Sequence, residues 1–213
     1  MQRITSLFDY FKKYEQSVKD PEKFWAEIAD TFIWKKKWDK VLDWDFDSVD
    51  IKWFENAKLN ITENILEKNL KDRGDKTAII WEPNDPTEPS IRLTYKELYE
   101  ETCKFSNALR EKGIKKGDRV IIYMPMVPEA AIAMLACARV GAIHSVVFAG
   151  FSSTSLADRI NDCQAKMVLT SDGNFRGNKT IPVKPVVDEA LEKCKTIESV
   201  VVLERTKQKI NMT

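Results

Sequence analysis

From Tyr123 to Ser152 the chain reads YMPMVPEAAIAMLACARVGAIHSVVFAGFS, a stretch with almost no charge between segments rich in Lys, Asp and Glu. So apolar a run has to be buried on more than one face. Its pattern predicts a strand, a helix, a second strand and a turn into another helix. Downstream the alternation continues. Strands are predicted at Arg119 to Met124, Ile143 to Phe148, Met167 to Thr170 and Val200 to Leu203, and helices from about Pro128 to Val140, Ser153 to Gln164 and Pro185 to Lys195. Strands alternating with helices of this length imply right-handed crossovers and a parallel sheet covered on both faces, a doubly wound α/β domain.

Before this body, Thr77 to Trp81 and Ile91 to Leu93 are short apolar runs flanking EPNDPTEPS, which predicts a hairpin with a long turn. Thr94 and Glu97 have capping-box spacing, and the helix they open places Leu98, Cys103, Phe105 and Leu109 inward before Gly113 ends it. In NITENILEKNL, Ile61, Ile65, Leu66 and Leu70 fall on one helical face, with Arg73-Gly74-Asp75 as the exit.

Residues 1 to 58 show no sustained period. They carry Trp25, Trp34, Trp38, Trp44 and Trp53, and Asp20-Pro21 opens a short helix with Phe24, Trp25 and Ile28 on one side. Large aromatics are costly to leave in water, so residues 1 to 58 are expected to form an arm packing on the body, 59 to 213.

Composition narrows the function classes. Among 213 residues, 34 are basic and 33 acidic, a balance that asks for neither nucleic acid nor an anionic membrane. No apolar run approaches the roughly 20 residues that cross a bilayer, and the start lacks the apolar core of a signal peptide, so a soluble, cytoplasmic chain is expected. Cysteines 103, 137, 163 and 194 are widely spaced, with one histidine in the sequence, which excludes the familiar zinc spacings and fits packed free thiols. Sequons at Asn60, Asn178 and Asn211 are then without meaning.

In a doubly wound sheet, ligands sit outside the carboxyl ends of the strands. The loops that qualify are Pro125 to Pro128, Ala149 to Ser152 and Ser171 to Pro182. The last reads SDGNFRGNKTIP, where Arg176 and Lys179 can present charge to a phosphate and Gly177 lets the backbone approach. A flexible basic surface loop is the competing reading. No Walker A, dinucleotide, zincin or nucleophile-elbow motif is present. His144 and Cys137 read as packed structural residues.

WFENAKLNITENILEKNL, DKTAIIWEPNDP and LTYKELYEETCKFSNALREKGIKKGDRVIIYMPMVPEAAIAMLACARVGAIHSVVFAGFS, followed by the FRGNKTIP loop, closely resemble the N-terminal part of the AMP-forming acetyl-CoA synthetase family, within the acyl-adenylate-forming superfamily. The resemblance covers nearly the whole chain, least in the first 20 residues and the last ten. It implies a partial N-terminal domain of an adenylate-forming ligase that converts acetate, ATP and CoA, with Mg2+, to acetyl-CoA, AMP and diphosphate. The family's segment that contacts the CoA nucleotide falls on Arg176, Gly177, Asn178 and Lys179. Phe148, Ala149, Gly150 and Ile181 fall around the adenine. Asn178 and Ala149 stand where the usual pattern has glycine.

The resemblance also implies that the ATP phosphate loop, acetate pocket, Mg2+-binding acid and catalytic lysine lie beyond residue 213. The partners it implies are small molecules and the remainder of the enzyme, and the isolated chain is expected to be inactive. A propionate or other short-chain acyl-CoA synthetase, and a non-catalytic CoA-binding or interaction module, are the alternatives.

Overall fold

A computed structural model describes residues 4–212, and the chain divides into two compact units, Met1–Lys68 and Asn69–Thr213. In the first, α1 (Leu7–Lys19) starts where the Ser6 side chain accepts the Asp9 N–H, and α2 (Pro21–Ala29) where Asp20 accepts the Lys23 N–H, with Pro21 in the first turn. The start of α2 is as expected. Helix α1 corrects the reading of residues 1 to 58 as without a sustained period: Leu7, Phe11, Tyr14 and Val18 have helical spacing, and all four are exposed.

The aromatic-and-charge segment, too, has regular structure. Leu42–Asp45 (β1) and Asp50–Trp53 (β2) form an antiparallel hairpin. Trp34, Trp38, Trp53 and Phe54 then pack ring against ring at 5.1–5.9 Å, and the Trp34 Nε1–H donates to the Ala29 carbonyl at 2.7 Å. The clustered rings partly cover one another, with Trp53 still exposed, a contact that no single-element periodicity reports.

The helix expected from Asn60 to Leu70 forms, but with a π-helical turn at Glu63–Glu67 before α3 (Lys68–Arg73). Its buried line runs through Thr62 and Leu66, whereas Ile61 and Ile65 are exposed, so the expected apolar face is turned by one residue. A polar residue sets that orientation. Asn64 is buried, accepts the Ile33 N–H at 2.7 Å and donates to the Ile33 carbonyl at 3.1 Å.

In the second unit, β3 (Thr77–Trp81) and β4 (Ile91–Thr94) make the predicted hairpin, and α4 (Tyr95–Glu111) opens with the full capping box between Thr94 and Glu97. There follow β5 (Arg119–Tyr123), α5 (Pro128–Val140), β6 (Ile143–Val146), α6 (Ser153–Cys163), β7 (Met167–Ser171), a second hairpin of β8 (Gly173–Arg176) and β9 (Lys179–Pro182), α7 (Lys184–Leu191) and β10 (Ser199–Leu203). The doubly wound α/β reading holds: a parallel sheet of order β10-β7-β5-β6 lies between two helical layers. On one face Ile121, Tyr123 and Val168 pack with Leu156 and Ile160 of α6 and Val187 and Ala190 of α7. On the other, Val120, Ile122 and Leu169 pack with Leu109 of α4 and Ala133, Ala136 and Cys137 of α5.

Three expectations need correction. β6 is an edge strand among the described residues, with Ile143 and Val146 exposed, so the apolar run is not buried along its whole length; its buried part is Tyr123, the inward side of α5, Ala142 and Val147. α7 stops at Leu191 rather than near Lys195, because Lys193 and Cys194 donate to the carbonyls of Ala190 and Leu191 in tighter three-residue turns. The segment Ser171 to Pro182 is a hairpin, not a flexible loop.

Candidate functional site at the carboxyl edge of the sheet

The strand order fixes where a ligand can sit. The chain leaves β5 through α5 on one face to β6 and returns through α6 on the other face to β7, so β5 and β7 are neighbours whose outgoing connections diverge. That divergence opens a crevice beyond their carboxyl ends. Three segments border it: residues 124–127 after β5, 147–152 after β6 and 172–183 after β7.

The segment after β6 is held by the last residue of β5. The buried Tyr123 hydroxyl donates to the Phe151 carbonyl at 2.7 Å, and the Phe151 N–H donates to the Phe148 carbonyl at 3.0 Å. Phe148 is 68% exposed and meets Phe151 edge-to-face. A Cβ at Gly150 would lie 2.5 Å from Cε1 of Phe148, so a larger residue there would displace the exposed Phe148 ring. Ala149 packs against the buried cluster beneath α6 and α7, so its methyl faces protein rather than standing free in the crevice.

After β7, strands β8 and β9 are joined by two residues, Gly177 and Asn178. Gly177 has φ +56° and Asn178 does not enter the positive-φ region, the pattern of a type II′ turn with glycine at its first central position. Asn178 therefore carries no backbone penalty. Pairing sets Arg176 opposite Lys179 and Asn174 opposite Ile181, so alternation puts these four side chains on one face and Phe175 and Thr180 on the other. Arg176 and Lys179 are exposed, and neither is ion-paired among the described residues. Two cations directly across a hairpin repel, and an anion bound between them would relieve the repulsion.

Of the sequence-predicted residues, Arg176, Lys179 and Ile181 thus share one hairpin face, with Gly177 and Asn178 at its tip. Phe148, Ala149 and Gly150 follow β6, which is separated from β7 by β5. The two groups lie on the same edge but one strand apart, about 10 Å between strand ends at ordinary spacing, rather than side by side.

The other face of the hairpin rests on residues that sequence reasoning passed over. Arg205 lies between two rings, its guanidinium 4.9 Å from the Phe175 centroid and 5.1 Å from that of Trp81, while its two terminal nitrogens donate to the two Glu88 carboxylate oxygens at 2.9 and 3.0 Å. Trp81 in turn donates through Nε1 to the Met126 carbonyl at 2.7 Å. Asn84 accepts the Gly177 N–H at 3.2 Å and donates to the Gly177 carbonyl at 2.9 Å.

Beneath them Asp172, 1% exposed, gathers the backbone N–H groups of Gly173, Arg205, Thr206 and Gln208 at 2.7–3.1 Å. Burial alone would raise its pKa, but these amides outweigh that and hold the carboxyl below its ordinary range. The available signals were the Asp-Gly pair ending a strand and the Gly-Asn pair between two short runs.

Among the described residues, neither His144 nor Cys137 is poised for acid-base or nucleophilic chemistry. His144 is partly buried in β6, and desolvation pushes its pKa down, toward the neutral imidazole. Burial pushes the Cys137 thiol up to about 12, far from a usable thiolate. Among the described residues no three His, Cys, Asp or Glu side chains converge as metal ligands, and no helix is long and apolar enough to cross a membrane.

The whole arrangement has relatives. An acetyl-coenzyme A synthetase of Syntrophobacter fumaroxidans is 53% identical over 202 residues, covering 94% of this chain and 31% of that protein, and one of Bdellovibrio bacteriovorus is 50% identical over 204 residues, covering 95% and 32%. The chain thus spans about a third of the length of the curated relatives it matches. Its fold matches an acetoacetyl-CoA synthetase from Streptomyces lividans with a TM-score of 0.83 at 25% identity, over 92% of this chain and 30% of that one. Residues 10–65 match the acetyl-coenzyme A synthetase N-terminus model, and with residues 66–212 matching the AMP-binding enzyme model, the chain belongs to the AMP-binding enzyme family.

Proposed function

We propose that this chain supplies the coenzyme A nucleotide-contacting part of an AMP-forming acetate–CoA ligase. In that reaction acetate attacks the α-phosphorus of ATP, diphosphate leaves, and the CoA thiol then displaces AMP from the acetyl-adenylate. Here Arg176 and Lys179 hold phosphate, Gly177 keeps the hairpin tip open to close approach, and Phe148, Ala149, Gly150 and Ile181 border the adenine. The observation that carries this reading is the Arg176–Lys179 pair, two unpartnered cations fixed opposite each other at the crevice.

In this reading ATP and Mg2+ act with groups supplied by the remainder of the enzyme. The reading places the protein in the cytoplasm, where its four free cysteines stay reduced.

The test is calorimetric titration of the 213-residue chain with adenosine 3′,5′-bisphosphate, the nucleotide end of CoA. Saturable binding that weakens as salt rises, and weakens about tenfold or more in Arg176→Ala, supports the reading. Equal binding by wild type and Arg176→Ala at low salt would overturn it. No acetate-dependent exchange of diphosphate into ATP is expected from this chain.

A further inference from the structure

The hairpin β8–β9 has two faces with separate jobs. One displays Arg176 and Lys179; the other, through Phe175, lies against Arg205. A two-stranded hairpin alone is marginally stable in water, so something else has to set where its tip stands. The 81–88 segment provides that at three points: Trp81 stacks on Arg205, Glu88 takes both ends of the same guanidinium, and Asn84 reaches the turn itself.

The Asn84 contact is unusual in form. Its amide meets the N–H and the carbonyl of Gly177 together, as a neighbouring strand would, although 93 residues separate them. The same pairing occurs between Asn64 and Ile33, where it is buried and orients a helix. At Gly177 it holds the turn residue that follows Arg176 in the chain.

We propose that Asn84 and Arg205 are positioning residues that mount the β8–β9 hairpin, so that the 81–88 segment sets where the Arg176–Lys179 pair is presented to its anion. Neither side chain touches the ligand. Arg205 in particular is spent on Glu88 and two rings and is not a third phosphate-binding cation. The consequence for binding rests on the nucleotide reading above; the mount itself does not.

The experiment combines amide hydrogen exchange at Gly177 with titration by adenosine 3′,5′-bisphosphate, in wild type, Asn84→Ala, Asn84→Asp and Arg176→Ala. Asn84→Ala removes both bonds at an exposed position, so melting should hardly change while the Gly177 amide exchanges about five- to tenfold faster. Asn84→Asp keeps the acceptor for the Gly177 N–H but turns the donor that met the Gly177 carbonyl into an acceptor, so it restores only part of that protection. The dissociation constant should rise about three- to tenfold in Asn84→Ala with its salt dependence intact, because no charge is removed, whereas Arg176→Ala flattens the salt dependence.

Unchanged Gly177 exchange in Asn84→Ala would overturn the mount. Faster exchange with unchanged affinity would overturn its role in presenting the cations. Faster exchange in a chain whose wild type binds no nucleotide would support the mount and remove the nucleotide reading alone.

Discussion

The carboxylate of Asp172 accepts the backbone N–H of Arg205 at 2.8 Å, tying the end of β7 to a residue 33 positions later. Four amides depend on this one buried acceptor, so Asp172→Ala is expected to destabilise the chain by about 3 kcal/mol and Asp172→Asn by about 1–2 kcal/mol, measured by urea denaturation. The pH dependence has a definite sign. A carboxyl whose folded pKa lies below its ordinary 3.8 stabilises the fold fully above that value and loses the contribution as pH falls through the folded pKa. The stability gap between wild type and Asp172→Asn should therefore be constant from pH 7 to pH 5 and shrink below about pH 4.

Arg205→Lys keeps the charge but loses the planar fork and the stacking on two rings. A loss of about 1–2 kcal/mol is expected, with a change in Trp81 emission that Glu88→Gln reproduces in part. Denaturation followed by tryptophan fluorescence reads both. A lysine variant as stable as wild type would show that the fork and the stacking contribute nothing.

Tyr123→Phe removes the hydroxyl that holds Phe151 and should cost about 1 kcal/mol. Burial raises the Tyr123 pKa above the ordinary 10.0, so an absorbance titration should show one phenol ionising late that is missing from Tyr123→Phe. Because the neutral form is favoured in the fold, its contribution is present below about pH 10 and lost as pH rises through the folded value. The variant should show a smaller alkaline loss of stability than wild type.

At pH 8 the Cys137 thiol, pushed up to about 12, is almost wholly protonated as well as buried. Exposed to N-ethylmaleimide, the partly buried Cys103 and Cys163 should be modified first, and Cys137 only as the chain unfolds. Peptide mass spectrometry over a time course checks the order.

The sequence made the central architecture legible where burial on both faces coincided with clear punctuation. Pro128 and Gly141 bracket α5, and Thr94 with Glu97 opens α4, because each boundary is a local chemical signal. It was silent where long-range polar contacts decide the outcome. The Asn64 side chain turns its helix, so Ile61 and Ile65 face outward despite their spacing. The hairpin after β7 lacked alternating apolar residues because its stability is lent by Arg205, 30 residues from Phe175, and Asn84, 93 residues from Gly177. Loop position and charge first pointed to Arg176 and Lys179, and the resemblance then tied them to the CoA nucleotide; the structure adds that they stand directly opposite each other and that the Phe148 segment is a strand further along the edge.

Gly177 turns at φ +56°, yet a side-chain carbon built there meets no atom within 4 Å. What excludes an ordinary residue is thus handedness rather than volume. L-Alanine would fit the space and strain the backbone, whereas D-alanine, installed by chemical ligation, has that φ as its natural preference and restricts the unfolded chain. The tip of the hairpin is a site that distinguishes mirror images, and the enantiomer that biosynthesis does not provide is the one expected to stiffen it.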